Sequence, residues 1–500
     1  MFFCVVPMIN AAMKIEKFEY INSVINLEVS FCPEKEIANP RVSIVFEGDG
    51  ISRQVPMAAK VVNGEIIATG KYMAAYIFYK HTAKTVKMYF VLSDGIEFQK
   101  FDSDLEAKNI KKSNFTHFLK VNKKEKVKIL IEMLLNFVAL PFRLLKIKSN
   151  RVSFFTNRTS VPTGNLKAVY DSIKEIPDMD VHLICQSGGA KGTIKVLFGF
   201  LKLYMTSRVV FVDDYYHLIS FIKKRADTKL IQLWHGCGAF KTVGFSRYHK
   251  NSRLDLSSSN HRQYDYAIVS SPEITSFYGE AFGIDEKKVL PLGCPRCDIL
   301  TDETYQSNVK KDFFEKYPDL KNKKLLLFAP TFRGNGNGDC YYPTEKFDVD
   351  KILNILGDDW AVIIKLHPYN KEKFSCSASN KSRMVDCYAW DVNDILIVCD
   401  FLVTDYSSVI FEAALLEKPM VLFAFDVEEY IASRDFYFDF KSFVPAPVVK
   451  TDEEIAKYVK SNDFDMEKII AFKNRAFGNT MGNATRNIKE LTMKLINNER

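Results

Sequence analysis

The sequence predicts an α/β chain, with two successive strand–helix runs behind a small all-β module, and three observations predict it. From Arg151 the strand-like segments "RVSFFTN", "VHLICQS", "RVVFVDD", "KLIQLWHG" and "YDYAIVSS" are separated by stretches long enough for crossover helices, the pattern of a parallel sheet. A second set, "KLLLFAPTF", "WAVIIKLHP", "ILIVCDFLVTD" and "KPMVLFAF", starts near Lys323. Between Lys14 and about Phe101 the chain instead alternates apolar and polar residues in "INLEVSF", "RVSIVFEG", "GEIIATGKY" and "VKMYFVLS", with turn residues between them, as a small sandwich would. Two Rossmann-like halves follow, and ligands of such sheets sit beyond the carboxyl ends of the strands.

The 500 residues exceed one hydrophobic core, and 47% hydrophobic residues is the content of a globular protein. The boundaries expected are 14–119 for the all-β module, 120–149 for a basic amphipathic linker, 150–300 for the first half and 301–500 for the second. The linker "KVNKKEKVKILIEMLLNFVALPFRLLKIKS" sets an apolar stretch between lysine clusters, with Pro141 interrupting the helix. It reads either as a helix packed on the next domain or as an interfacial helix on anionic lipid. The closing segment from Asp465 is helical and is expected to pack across the halves.

A net charge of +8 suits anionic substrates or an anionic membrane surface, and no nucleic acid is expected. The apolar start "MFFCVVPMINAAM" lacks a basic n-region and is too short to span a bilayer, so Met13 is a second candidate start. With no run of 18 apolar residues, the chain is not expected to cross a membrane. The ten cysteines are scattered over a large chain, which points to a reducing cytoplasm. Cys294 and Cys297 have C-x-x-C spacing without a second pair at zinc-finger spacing; with Asp213–Asp214 read as ordinary strand-end acids, no metal is claimed.

Four strand ends carry chemistry: Trp234-His235-Gly236, Pro330-Thr331-Phe332-Arg333, Lys365-Leu366-His367-Pro368 and Thr404-Asp405-Tyr406-Ser407-Ser408. The last opens a helix, whose N–H groups and serine hydroxyls could hold a phosphate or pyrophosphate. Glu412, one turn on, could accept from ribose hydroxyls.

"LWHG" with "GAFK", then "LGCPRCD", "FAPTFRG", "IIKLHP" and "VTDYSSVIFEAALLEKPMVLFAFDVEEY" with "RDFYFDF", resemble the CDP-glycerol glycerophosphotransferases, the polyol-phosphate polymerases and primases of teichoic acid and capsule synthesis. The resemblance covers about residues 150–495. It implies a GT-B-like fold, two Rossmann-like halves facing across a cleft, with the CDP-polyol donor (CDP-glycerol or CDP-ribitol) in the C-terminal half. It implies His235 and His367 as catalytic residues, and Thr331, Arg333, Thr404, Asp405, Ser407 and Ser408 as donor phosphate contacts. Glu412 is implied near the ribose, and Gly236 and Lys241 on the acceptor side. Cys294 and Cys297 fall at variable positions of the family's G-x-P-R-x-D turn. No cofactor is expected.

The implied reaction passes a polyol phosphate to a hydroxyl of a lipid-linked acceptor and releases CMP, at the inner face of the cell membrane. His235 is expected to be the base, with Gly236 and Gly238 leaving room for the hydroxyl. Protonated His367, Arg333 and the helix N-terminus are expected to meet the phosphate charge. The alternatives are a GT-B glycosyltransferase using a nucleotide sugar and a non-enzymatic polyanion- or lipid-binding scaffold. Many family members have threonine-proline-leucine-lysine where this chain has Cys237-Gly238-Ala239-Phe240-Lys241, which leaves polyol and acceptor open.

Overall fold

The computed structural model describes residues 9–497 apart from 22–23, 38, 49–50, 74–82, 95–97, 111–122, 187–193, 250–260 and 335–338. The first residues of the apolar start, the first residues of the linker and most of the GNGNG stretch after Arg333 lie outside the described residues.

The all-β module has seven antiparallel strands: β1 (Ala11–Ile21), β2 (Val24–Pro33), β3 (Arg41–Gly48), β4 (Ile51–Val62), β5 (Glu65–Met73), β6 (Ala83–Ser93) and β7 (Phe98–Ile110). They hydrogen-bond in the order β1-β2-β5-β4-β3-β6-β7. The sheet is continuous rather than split into two layers, because β4 pairs with β3 through Ile51–Met57 and then with β5 through Ala58–Val62. It rolls far enough for the edges to meet, where the Ala11 N–H donates to Gln99 Oε1 at 2.9 Å. The two-sheet sandwich is therefore replaced by one rolled sheet, filled by every second residue of β2 (Ile25, Leu27, Val29, Phe31) and β3 (Val42, Ile44, Phe46).

A six-stranded parallel sheet follows, from β8 (Lys148–Thr156), β9 (Asp180–Cys185), β10 (Ser207–Val212), β11 (Lys229–Gln232), β12 (Tyr266–Ile268) and β13 (Val289–Leu290), in the order β9-β8-β10-β11-β12-β13. The second comprises β14 (Lys324–Phe328), β15 (Trp360–Ile364), β16 (Met384–Asp386), β17 (Phe401–Thr404), β18 (Met420–Phe423) and β19 (Val448–Val449), ordered β16-β15-β14-β17-β18-β19. Strand order reverses beside the first strand of each sheet, at β8/β10 and at β14/β17. Chain connections leave in opposite directions there, which opens a crevice at the strand ends.

Two expectations change. "ILIV" at 395–398 is not strand but the end of the helix Val392–Val398, started by Asp391, whose carboxylate accepts the Asn393 N–H at 2.8 Å; so short an apolar run fits a buried helix turn equally well. Pro141 does not interrupt the linker helix, which runs Lys123–Arg143 with the proline in its last turn. The closing helices pack on elements of both parallel sheets. Phe472 of the helix Met466–Phe477 stacks on Phe411, whereas Ile488 and Leu495 of the helix Ala484–Asn497 are buried with Val152 and Phe154 of the first sheet.

Candidate active site

The loops after β14, β15 and β17 surround a cavity of about 490 Å³ at the switch point of the second sheet. Ser407, Ser408, His367, Lys365 and Glu412 line it, and Arg296 enters from the other half. Its volume is in the range of small-ligand sites.

Behind this wall lies a buried ionic frame. Asp405 accepts from the Thr331 N–H (2.7 Å), its neighbour's Tyr406 N–H (2.6 Å) and Arg333 Nη1 (2.7 Å). Arg333 also donates Nε and Nη2 to Asp426 (2.7 and 3.0 Å) and Nη1 to the Thr331 carbonyl (2.7 Å). The two carboxylates hold the guanidinium proton more tightly than usual. The Thr404 hydroxyl donates to the Ala329 carbonyl at 2.7 Å, tying β17 to β14. Arg333, Thr404 and Asp405 are buried. Together with the Thr331 backbone they brace the loops that line the cavity.

The helix after β17 is only Val409–Leu415, and the side chain of Ser408 does not cap it. The expected anion site at its N-terminus reduces to the serines: Ser407 Oγ accepts the Val409 N–H at 3.4 Å, which leaves its own proton to donate. His367 lines the cavity with its ring against the Phe332 and Tyr369 rings. Its Nδ1 accepts the Tyr369 N–H at 3.2 Å, so the ring proton belongs on Nε2, and burial with Lys241 and Lys365 nearby lowers its pKa. Lys365 donates to the Tyr388 carbonyl at 2.8 Å.

Lys241 does not lie with the first-half residues. Its backbone bridges to Phe436, its ammonium sits 5.4 Å from the centre of the Tyr430 ring, and Asp405, Arg434 and Arg333 are its charged neighbours. Burial lowers its pKa to about 8.

His235 follows β11 through a Trp234 held at φ 52°, a backbone region costly for a bulky residue. The Asn165 amide clamps this turn by donating to the Leu233 and Trp234 carbonyls (3.2 and 3.0 Å). His235 Nδ1 lies 3.2 Å from the Asp213 carbonyl and 3.8 Å from Asp214 Oδ2, and Arg158 lies 3.5 Å from the same carboxylate. Burial, then Arg158, lowers His235 to about 4. A proton on Nδ1, donated to the Asp213 carbonyl, leaves the Nε2 lone pair as an acceptor.

Both glycines sit against aromatic rings. A Cβ on Gly236 would lie 3.2 Å from Trp234 Nε1, and one on Gly238 (φ 65°) would strike the Phe411 ring at 2.4 Å. The missing Cβ at Gly238 lets its loop pack directly on the Phe411 ring.

Sequence reasoning missed Arg296 and the company of Cys237. Arg296 forms an ion pair with buried Glu412, whose carboxyl is raised by burial, so the residue expected near the ribose is held by the first half. The thiols of Cys237, Cys294 and Cys297 lie within 4.8 Å of one another, all buried. Cysteine spacing could not reveal this, because 57 residues separate Cys237 from the C-x-x-C pair.

Two curated relatives are ribitol-phosphate polymerases. The teichoic acid poly(ribitol-phosphate) polymerase of Bacillus spizizenii is 38% identical over 69% of this chain and 56% of its own length. TarK of Staphylococcus aureus is 39% identical over 67% of each chain. The match thus spans little more than half of the Bacillus polymerase. Among solved structures, the wall teichoic acid polymerase TagF superposes with a TM-score of 0.59 at 21% identity, covering 77% of this chain and 97% of that one; the likeness supports an α/β fold with parallel sheets. Residues 137–494, which hold both sheets and every strand end described above, match the CDP-Glycerol:Poly(glycerophosphate) glycerophosphotransferase family, and the chain belongs to that family.

Proposed function

We propose that the chain transfers ribitol phosphate from CDP-ribitol to a hydroxyl of a lipid-linked acceptor and releases CMP, using two Rossmann-like halves that face across a GT-B-type cleft. The β14–β19 half takes the donor and the β8–β13 half the acceptor. The carrying observation is the cavity at the β14/β17 switch point, where the Ser407 and Ser408 hydroxyls, the His367 imidazole and the Lys365 ammonium gather. Relatives named for ribitol phosphate are 37–39% identical, against 26–29% for those named for glycerol phosphate, which favours the longer polyol.

In this reading His235 Nε2 takes the acceptor hydroxyl proton, with Asp213 and Asp214 orienting the ring. The oxygen attacks the polyol-bearing phosphorus, the new P–O bond forms, and the bond to CMP breaks. The Ser407 and Ser408 hydroxyls, the His367 Nε2–H and the Lys241 ammonium meet the charge on the phosphates. Incubation with CDP-ribitol or CDP-glycerol and a lipid-linked acceptor, reading CMP release and product length, tests it; no CMP from either donor would reject the reaction.

Replacing Ser407 and Ser408 with alanine is expected to weaken donor binding by about 1.5–3 kcal/mol for each charge-assisted bond removed. Unchanged affinity in calorimetry would take both serines out of the site.

Lys241 gives a prediction of opposite sign for stability. Its folded value, about 8, lies below the ordinary 10.5, so the unfolded chain holds the proton more tightly. The protonated side chain therefore opposes folding below pH 8, and that cost disappears as pH rises from about 8 to 10.5. The difference corresponds to roughly 3 kcal/mol. Lys241→Met is expected to stabilise the protein by about 1–3 kcal/mol at pH 7 in urea unfolding while weakening donor binding, and wild-type donor affinity should fall as pH rises through 8. A destabilised variant with normal donor affinity would contradict both statements.

The chain is further proposed to act at the inner face of the cell membrane. Among the described residues no helix is long and apolar enough to cross a membrane. The helix Lys123–Arg143 nevertheless exposes Leu130, Met133, Leu134 and Phe137, each more than half exposed, beside exposed Ile194 and Phe198. Each such side chain buried in lipid contributes roughly 1.5–3 kcal/mol, and the lysine-rich flanks of the sequence add attraction to anionic headgroups. Sedimentation with anionic vesicles is expected and should be lost in Leu134→Glu with Phe137→Glu; equal sedimentation of the variant would make the helix an ordinary linker.

A further inference from the structure

We propose that Cys237, Cys294 and Cys297 form a three-thiolate site for a soft divalent cation of the zinc class, which ties the His235 loop to the turn carrying Arg296. The three sulfurs lie within 4.8 Å of one another and the residues are 2–3% exposed. Tetrahedral zinc–thiolate bonds of about 2.3 Å place sulfurs about 3.8 Å apart, so closure needs a contraction of an ångström or less. Thiolates without a carboxylate in the cluster select soft ions over magnesium or calcium.

The sulfurs come from two rigid pieces. Cys294 and Cys297 flank a single turn closed by the Cys297 N–H to the Cys294 carbonyl at 2.9 Å. Cys237 is held in place by its neighbour: the Gly238 N–H donates to Ser270 Oγ (3.3 Å) and its carbonyl accepts from Tyr278 Oη (2.9 Å). Asn165 Oδ1 lies 3.4 Å from Cys294 Sγ, on the side chain whose nitrogen clamps the Trp234 turn.

The second observation is Arg296. Its guanidinium pairs with Glu412 at one end, while its Nε is buried with no hydrogen-bond partner among the described residues. Three thiolates on a divalent ion leave one negative charge, and an N–H donor beside the sulfurs is what such a centre uses to balance it. Ion occupancy would fix His235, two residues from Cys237, against the Arg296–Glu412 pair at the cavity wall.

The intact chain, purified without chelators, is expected to carry about one zinc, and after stripping to bind cobalt(II) with a thiolate-to-metal charge-transfer band. Cys237→Ser should weaken zinc binding by more than the ~10–100-fold that a supporting residue costs, whereas Cys399→Ser, a buried cysteine elsewhere, should bind as wild type. If Cys237→Ser fails to fold, titrating the wild type with a mercurial gives the same answer, because zinc should leave as the three clustered thiols react. A zinc-free chain whose cobalt spectrum lacks the charge-transfer band overturns the proposal, as does a disulfide among the three found by mass mapping after alkylation in acid.

Discussion

His235→Ala is expected to lower turnover by roughly 10²–10⁴-fold, the range of a lost general base, and to leave CDP-ribitol affinity nearly intact. The expectation follows from where the histidine stands. It ends β11, is oriented by the Asp213 carbonyl and Asp214, and is absent from the cavity lining where the donor is proposed to sit. His367 does line that cavity, so His367→Ala should reduce both turnover and affinity. Calorimetry on the two variants separates the roles. Loss of donor binding in His235→Ala with retention in His367→Ala reverses the assignment, and normal turnover in His235→Ala makes it a packing residue.

Arg333→Leu is expected to destabilise the protein by about 3–5 kcal/mol, because it leaves the carboxylates of Asp405 and Asp426 buried without their cation. Urea unfolding reads the loss directly. A guanidinium whose sole task was to hold a donor phosphate would behave differently: the variant would keep its stability and lose only affinity, and that result would reject the bracing role.

The strand ends were legible because chemistry in α/β folds concentrates where strands stop, and the apolar runs before His235, Arg333, His367 and Asp405 mark those stops. Their division of labour was not. Arg333 after β14 looks the same in sequence whether it meets a ligand or two carboxylates, one of them, Asp426, 93 residues further on. Lys241 was assigned by its position along the chain, whereas its side chain crosses to Asp405 and Tyr430. The pairing of Arg296 with Glu412 and the meeting of Cys237 with Cys294 and Cys297 depend on how loops of separate strands pack, and periodicity carries no record of that. In the all-β module, alternation identified four strands; the continuity of β4, which turns the expected sandwich into one rolled sheet, lies in its change of partner midway.

The central claim is that the donor occupies the crevice at the β14/β17 switch point, and the position of bound CDP-ribitol in a crystal structure of the complex tests it most directly. The account predicts the pyrophosphate within hydrogen-bond distance of the Ser407 or Ser408 hydroxyl and of the His367 ring, with the ribose toward Glu412 and Arg296. A CDP-ribitol seated instead at the ends of β8 and β10, against Arg158 and Asp213, would contradict it.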